Sequence, residues 1–373
     1  MRVERLDKIR DRANRILIYP NASPGAGLGH VTRCIALAES LRKQKANVSF
    51  ICHAKHERAI GYLEEPGWPI LTFQSNGPDT VEAGEISRKS DDSGGIDWLV
   101  IDNYDIDNSW LMEARGFARG IAVIDDLANR FLDCDLLINQ NLGFDNLYEK
   151  LVPKKTVQLI GPRFALLRGE FVRLRQTGLR VRDGRIKRIL VFMSGSDNAD
   201  YTGMAARAIG QFSDRGLSVD IVVGQSYRLI NDLQKTLPAA SFKVNVFQNI
   251  SANEMARLSD SADLCIGAAG SSSWERCCLG LPSLVIIIAE NRVGWAQSQV
   301  AQALHAGKAA TALGASEVSV ECIAGALSKL LDNPDSVKGS SIAAAKLVDG
   351  RGAERVADYL LAGCLAGCAH GVR

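Results

Sequence analysis

The chain has 373 residues, 46% hydrophobic and 23% charged, with a formal net charge of +2. That length suits two to three domains with large cores, and the composition is that of an ordinary globular protein. The near-neutral balance excludes strong electrostatic capture of nucleic acid. The start MRVERLDKIRDR has no apolar run behind it, so no signal peptide is expected. No stretch approaches the ~18 apolar residues needed for a membrane span. The nine cysteines lie mostly in apolar runs without a C-x-x-C pair. They read as small buried hydrophobes in a reducing, cytoplasmic compartment. Cys364, Cys368 and His370 could suggest a metal, but this spacing on a tail helix reads as packing. No metal or cofactor is expected.

The first strand is expected at 16–19, in RILIYP. A glycine-rich turn follows, PGAGLGHVTR at 24–33, and then an amphipathic helix at 31–43 with Ile35, Ala38 and Leu41 on one face. A dinucleotide fingerprint fails here twice. His30 stands where its last glycine would be. The next strand ends at His53 and Ala54, with no acidic residue for a ribose hydroxyl. What remains is His30 at the carboxyl end of the first strand, where open α/β sheets bind ligands. It is a candidate acid–base, or a brace for the turn.

Further strands are expected at 48–52, 70–73, 98–102, 122–125, 135–139 and 157–160, short β-branched runs of the kind buried on both faces. Asn103 and Tyr104 end one of them. Asp125 and Asp126 end another, either as an acid–base pair or as caps of the next turn. The polar segment 75–95 reads as a long loop or weak helices. His53 and His56 are expected at the surface. Arg163 and Arg168 suit inter-domain salt bridges as well as substrate. The Arg-rich, aperiodic 173–187 reads as a solvated linker.

The second half repeats the style, with strands expected at 189–193, 219–223, 244–247, 264–267 and 284–288. The fold is therefore α/β, two doubly wound domains. We expect an N-terminal domain over 1–172, the linker 173–187, a C-terminal domain over 188–350, and a helix and tail over 351–373. After the strand ending near Ala269 comes GSSSWERCCLGLP at 270–282, a small-residue turn opening a helix. Free N–H groups and hydroxyls at a positive helix end suit a phosphate. Gly270, Ser271, Ser272 and Ser273 are the candidate anion cradle. Glu275, one turn in, can reach the hydroxyls of whatever carries the phosphate, with Trp274 and Leu279 facing the sheet.

Several motifs in order carry a specific resemblance. They are G-x-G-H-x-x-R at 27–33, V-I-D-N-Y at 100–104, I-D-D-L-A-N-R at 124–130, C-D-L-L-I-N-Q-N at 134–141, G-P-R-F-A-L-L-R-x-E-F at 161–171, S-G-S-D at 194–197 and the 270–282 segment. Over roughly 16–307 the chain resembles the nucleotide-sugar hydrolases of pseudaminic-acid biosynthesis. These have the GT-B-like fold of one large glycosyltransferase class, two Rossmann-like domains facing a cleft. The resemblance implies a UDP-linked 2,4-diacetamido-2,4,6-trideoxyhexose substrate, from which water displaces UDP at the anomeric carbon. It implies His30 at the reacting centre, with Gly27, Gly29 and Arg33 on the same turn and Asn103 and Tyr104 near the sugar. It also implies UDP on Gly270–Ser273 and Glu275. The family's Asn-Gln after the strand at 284–288 is here Asn291-Arg292, a cation in place of an amide, so the sugar can differ or Arg292 can meet the diphosphate. Gly-Gly-Ser-Asp is likewise Ser194-Gly195-Ser196-Asp197. A glycosyltransferase of the same fold and a non-catalytic nucleotide-sugar-binding protein stay open as alternatives.

Overall fold

The computed structural model describes residues 14–23, 28–74, 80–90, 95–144, 146–193, 197, 199–225, 227–236, 243–287, 292–314 and 318–370, without the side chains of 90, 234–236, 292–295 and 363–370. Gly27, Asn291, residues 194–196, and the side chains of Arg292, Cys364, Cys368 and His370 lie outside this set.

The chain divides into two compact units. One comprises Met1–Gln140, Phe144–Leu166 and Gly352–Arg373; the other comprises Asn141–Gly143 and Leu167–Arg351. In the first unit, β1 (Arg15–Pro20), α1 (Gly29–Lys43), β2 (Asn47–His53), α2 (Glu57–Glu64), β3 (Ile70–Phe73), α3 (Ala83–Ser90), β4 (Ile96–Asp102), α4 (Asn108–Ala114), β5 (Ala118–Ile124), β6 (Leu136–Asn139) and β7 (Val157–Ile160) follow one another. They build a seven-stranded parallel sheet of order β3-β2-β1-β4-β5-β6-β7. The second unit begins with α5 (Gly169–Thr177), followed by β8 (Arg188–Phe192), α6 (Tyr201–Gly210), β9 (Ser218–Val223), α7 (Ile230–Thr236), β10 (Lys243–Gln248), α8 (Ala252–Ser261) and β11 (Leu264–Ala268). It continues through α9 (Ser272–Cys278), β12 (Ser283–Ile286), α10 (Arg292–Ala306), β13 (Ala310–Leu313), α11 (Val320–Leu331) and α12 (Pro334–Leu347). Its six strands run parallel in the order β10-β9-β8-β11-β12-β13. Both orders reverse direction once, between β1 and β4 and between β8 and β11, which is where doubly wound sheets open a ligand crevice.

Burial explains the strands. β1 and β4 are apolar on both faces, so alternation is absent and the runs are continuous. Ile16, Ile18, Val31, Leu37 and Leu41 share a core with Val356, Ala357 and Leu360 of α13 (Gly352–His370). The last helix thus returns to the first unit rather than forming a separate tail. Trp98 Nε1 donates to Leu360 O at 2.8 Å, and the helix starts at a point of close approach. A Cβ on Gly352 would collide with Ala165 O. Gly352→Ala is therefore expected to destabilise by about 1–3 kcal/mol through overpacking, read as a lower denaturant midpoint at unchanged slope.

The stretch 173–187 departs from the expected linker. It belongs to the second unit, and Arg182 is buried. Arg182 donates to Ser259 O, Asp260 O and Ala262 O at the end of α8, and to Leu279 O and Gly280 O after α9. Arg180 reaches carbonyls of the same helix end and Asp263. Helix C-terminal carbonyls lack intrahelical donors, and cations gain there. The arginines are thus structural caps, Arg182 from a buried position and Arg180 from an exposed one.

His53 and His56 are also not at the surface. Both are buried, their rings 5.5 Å apart, because β2 runs on through His53 and Lys55 N–H folds back onto His53 Nδ1 at 3.1 Å. Six of the cysteines, 34, 52, 134, 265, 277 and 278, are buried as expected, while Cys322 is exposed. Strand β13 has no counterpart among the expected strands, and a helix, α3, lies within 75–95.

Candidate functional site

In the first unit the site is built at the carboxyl ends of β1, β4 and β5. His30 and Arg33 are three apart on the first turn of α1, so both side chains stand on one helix face. That face meets Asp102, the last residue of β4, which is wholly buried. His30 Nδ1 lies 2.7 Å from Asp102 Oδ1, and Arg33 Nε donates to Asp102 Oδ2 at 2.6 Å. The Arg33 guanidinium also bonds Asp102 Oδ1 and Asp126 Oδ2. Tyr104 donates its hydroxyl to Asp126 Oδ2 at 2.7 Å, and its ring meets the His30 ring edge-on at 4.8 Å.

The electrostatics decide the tautomer. Burial opposes the Asp102 charge, but Arg33 and His30 outweigh it and hold the carboxyl well below the usual carboxylate range. An ionised Asp102 only accepts, so Nδ1 of His30 carries a proton toward it, which makes Nε2 the basic nitrogen of the neutral ring. Arg33, buried between two carboxylates, is held protonated despite desolvation. Burial, with the same two carboxylates, pushes the Tyr104 hydroxyl up. The cluster is a fixed imidazole with a base-capable nitrogen, a paired cation and a neutral phenol.

Asp102 was not among the candidates read from the sequence. The signal lies in the juxtaposition of a histidine–arginine pair at i and i+3 with an aspartate ending an apolar strand. A buried charge needs a partner, and the β1–β4 neighbourhood supplies it. Asp125 caps the next turn: its carboxylate holds Leu127 N–H, Ala128 N–H, Arg130 and the Tyr148 hydroxyl. Asp126 is the member that joins the His30 cluster. Asn103 is buried and accepts from Asp105 N–H, which makes it a turn former. Gly29 is exposed, with its carbonyl capped by the Thr32 hydroxyl.

In the second unit the turn after β11 has the expected form. Ser273 N–H is bonded to Gly270 O and Trp274 N–H to Ser271 O. The N–H groups of Gly270, Ser271 and Ser272 come before these and are those a helix start leaves without an intrahelical carbonyl. Ser271 has no side-chain capping bond and is exposed, Ser272 is half-buried and Ser273 is buried. The hydroxyls of Ser272 and Ser273 both accept from Arg276. Trp274 and Leu279 face the core as expected, with Trp274 Nε1 donating to Asn141 Oδ1. Glu275 is clamped by Arg168 in a two-pronged pair, Nε–Oε1 2.6 Å and Nη2–Oε2 2.8 Å, so the Arg168 salt bridge lies within the second unit. Arg163 stacks over Phe164. Among the described residues no cluster of His, Cys, Asp and Glu could hold a metal ion, and no helix is long and apolar enough to cross a membrane.

Residues 189–356 match the glycosyltransferase family 28 C-terminal domain. The chain is 25% identical over 280 residues to an uncharacterized protein of Methanocaldococcus jannaschii, covering 73% of this chain but only 55% of that relative's length. It is 25% identical over 347 residues to the spore coat polysaccharide biosynthesis protein SpsG of Bacillus subtilis, covering 92% of this chain and 96% of that one. Among solved structures, MurG of Acinetobacter baumannii superposes with a TM-score of 0.65 at 14% identity, over 94% of this chain and all of that one. The UDP-GlcNAc 2-epimerase of Neisseria meningitidis, bound to UDP-GlcNAc, does so with a TM-score of 0.62 at 12% identity, over 95% of this chain and all of that one. Residues 189–356 thus resemble the glycosyltransferase family 28 C-terminal domain, and the chain has the GT-B fold of two Rossmann-like parallel-sheet domains.

Proposed function

We propose that the chain hydrolyses a UDP-linked 2,4-diacetamido-2,4,6-trideoxyhexose at its anomeric carbon, releasing UDP and the inverted free sugar for nonulosonic (pseudaminic) acid synthesis. The observation that carries this reading is the His30–Asp102 pair: an imidazole pinned through Nδ1 by a buried carboxylate, with Nε2 left to take a proton. Water attacks the anomeric carbon and gives its proton to Nε2. The bond from that carbon to the UDP oxygen breaks, and its electron pair leaves with UDP. Asp102 stabilises the imidazolium that forms, as an orienting carboxylate does for a catalytic histidine. Gly27, Gly29 and Arg33 shape this end, with Asn103 and Tyr104 near the sugar.

UDP docks on the second unit, its diphosphate at Gly270–Ser273 and its ribose on Glu275, whose orientation Arg168 fixes. Asn291 and Arg292 are assigned to the sugar or the diphosphate. Glu275→Ala is expected to weaken UDP binding by ~1.5–3 kcal/mol, as for a hydrogen bond to a charged group. Calorimetric titration of UDP measures this, and unchanged affinity moves the ribose site elsewhere.

The family 28 match and the relationship to a polysaccharide-biosynthesis protein favour one second reading, a glycosyltransferase in which an acceptor hydroxyl replaces water. A panel of UDP-diacetamido sugars, offered without acceptor, separates the two. Multiple-turnover UDP release supports the hydrolase; release only when an acceptor is added supports the transferase.

A further inference from the structure

Two aspartates follow β5. Asp125 caps the next turn, while Asp126 accepts from two side chains of other elements, Arg33 Nη1 on α1 and the Tyr104 hydroxyl just past β4. Both bonds run to Oδ2, and the Asp126 side chain is only 13% exposed. The cluster around His30 thus holds one guanidinium and two carboxylates, Asp102 and Asp126. Tyr104 beside the ring, and Cys34, whose thiol meets Asp102, are both pushed up by burial and stay neutral. Among the described residues these are the titratable and charged groups that α1, β4 and the turn after β5 bring to the ring.

The guanidinium is a liability for a base. Arg33 Nη2 stands 3.3 Å from His30 Nδ1. With a proton on each nitrogen, this becomes a contact of like charges once the ring is cationic. Against Asp102 alone, Arg33 would leave the buried cluster neutral. Proton uptake by His30 would then make it net positive, a costly state away from water. With Asp126 included, the cluster starts with one net negative charge, and the imidazolium brings it to neutrality. We propose that Asp126 is a positioning residue for the reaction, the second counter-charge that, through Arg33, lets His30 take the proton of the attacking water; this rests on the hydrolase reading above. Asp102 orients the ring and faces both cations. Asp126 takes up one guanidinium nitrogen and leaves more of the Asp102 charge for the imidazolium. Tyr104, donating to the same oxygen and packed edge-on against His30, ties that carboxylate to the ring.

The test follows the His30 ring by NMR across pH in the ligand-free, full-length protein, with His30→Asn identifying its signal among the five histidines. Turnover of the UDP-diacetamido sugar is measured beside it. In Asp126→Asn the amide oxygen can still accept from Arg33 and Tyr104, and the charge alone is lost. The His30 titration midpoint is expected to fall by about one pH unit, because the imidazolium has lost a counter-charge. The kcat is expected to fall about three- to tenfold at unchanged KM, as for a weakened general base, with the acid limb of its pH profile moving to lower pH. Asp126→Glu keeps the charge and should restore both. A folded Asp126→Asn whose midpoint stays within about 0.3 unit of wild type overturns the proposal, whatever its kcat. A midpoint that falls while kcat holds overturns it equally. Should the amide variant fail to fold, Asp126→Ala removes the same charge and is judged by the same midpoint. A midpoint that falls in the variant, when the wild type releases no UDP, refutes the hydrolase reading and leaves the charge balance at His30 standing.

Discussion

Replacing His30 by asparagine is expected to lower kcat for UDP release by about 10²–10⁴-fold, the range for loss of a general base, with UDP affinity unchanged. The asparagine amide can still donate to Asp102 in place of Nδ1, so the pairing around Arg33 survives. What disappears is the basic lone pair of Nε2. The substitution thus separates chemistry from folding: single-turnover rates should collapse while the melting temperature holds. Turnover within a few-fold of wild type would remove His30 from the mechanism.

Asp102→Ala is the substitution with the largest expected effect on stability. It strips a wholly buried carboxylate from Arg33 and His30 and leaves Arg33 with Asp126 alone. Breaking a buried pair by removing one partner typically costs about 3–5 kcal/mol. The cost should depend on pH in a fixed direction. The Asp102 carboxyl is lowered in the folded protein, so its contribution is fully present above the unfolded value, ~3.9, and is lost as pH falls below it. Denaturant melts at pH 7 and pH 3 should therefore show the gap between wild type and Asp102→Ala narrowing on acidification. A gap that is constant, or that widens in acid, would mean that Asp102 is not held ionised by its neighbours.

The fold was largely legible because parallel strands buried on both faces leave continuous apolar runs. RILIYP and the segments ending at Asp102 and Ala268 are such runs, each followed by small or polar residues that turn toward a helix. Strand β13 escaped because Ala-Thr-Ala-Leu is too weakly apolar to stand out. The 173–187 segment misled for a physical reason: an arginine that caps carbonyls and an arginine in solvent look alike in one dimension. His53 and His56 misled similarly, since imidazole is polar in composition yet packs readily in a core. At the site, His30, Arg33 and Tyr104 could be picked out by their motifs. Asp102 stands out only when the aspartate that ends β4 is matched with the His30–Arg33 pair, and that match depends on β4 lying beside β1, a long-range pairing that no local pattern encodes. The same holds for Arg168 on Glu275 and for Arg276 beneath the serines, where local reading finds the turn but not the charges that hold it.

The central claim is that water attacks carbon and not phosphorus. Turnover of the UDP-diacetamido sugar in oxygen-18 water, with EDTA present and no acceptor, tests it directly by mass spectrometry of both products. Attack at the anomeric carbon sends UDP off with its glycosidic oxygen, so the label should appear in the free sugar and be absent from UDP. Label in UDP would mean attack at phosphorus, a reaction that calls for cations or a metal around the diphosphate. It would contradict His30 as the base that activates water toward carbon, and Asp102 as the carboxylate that holds it.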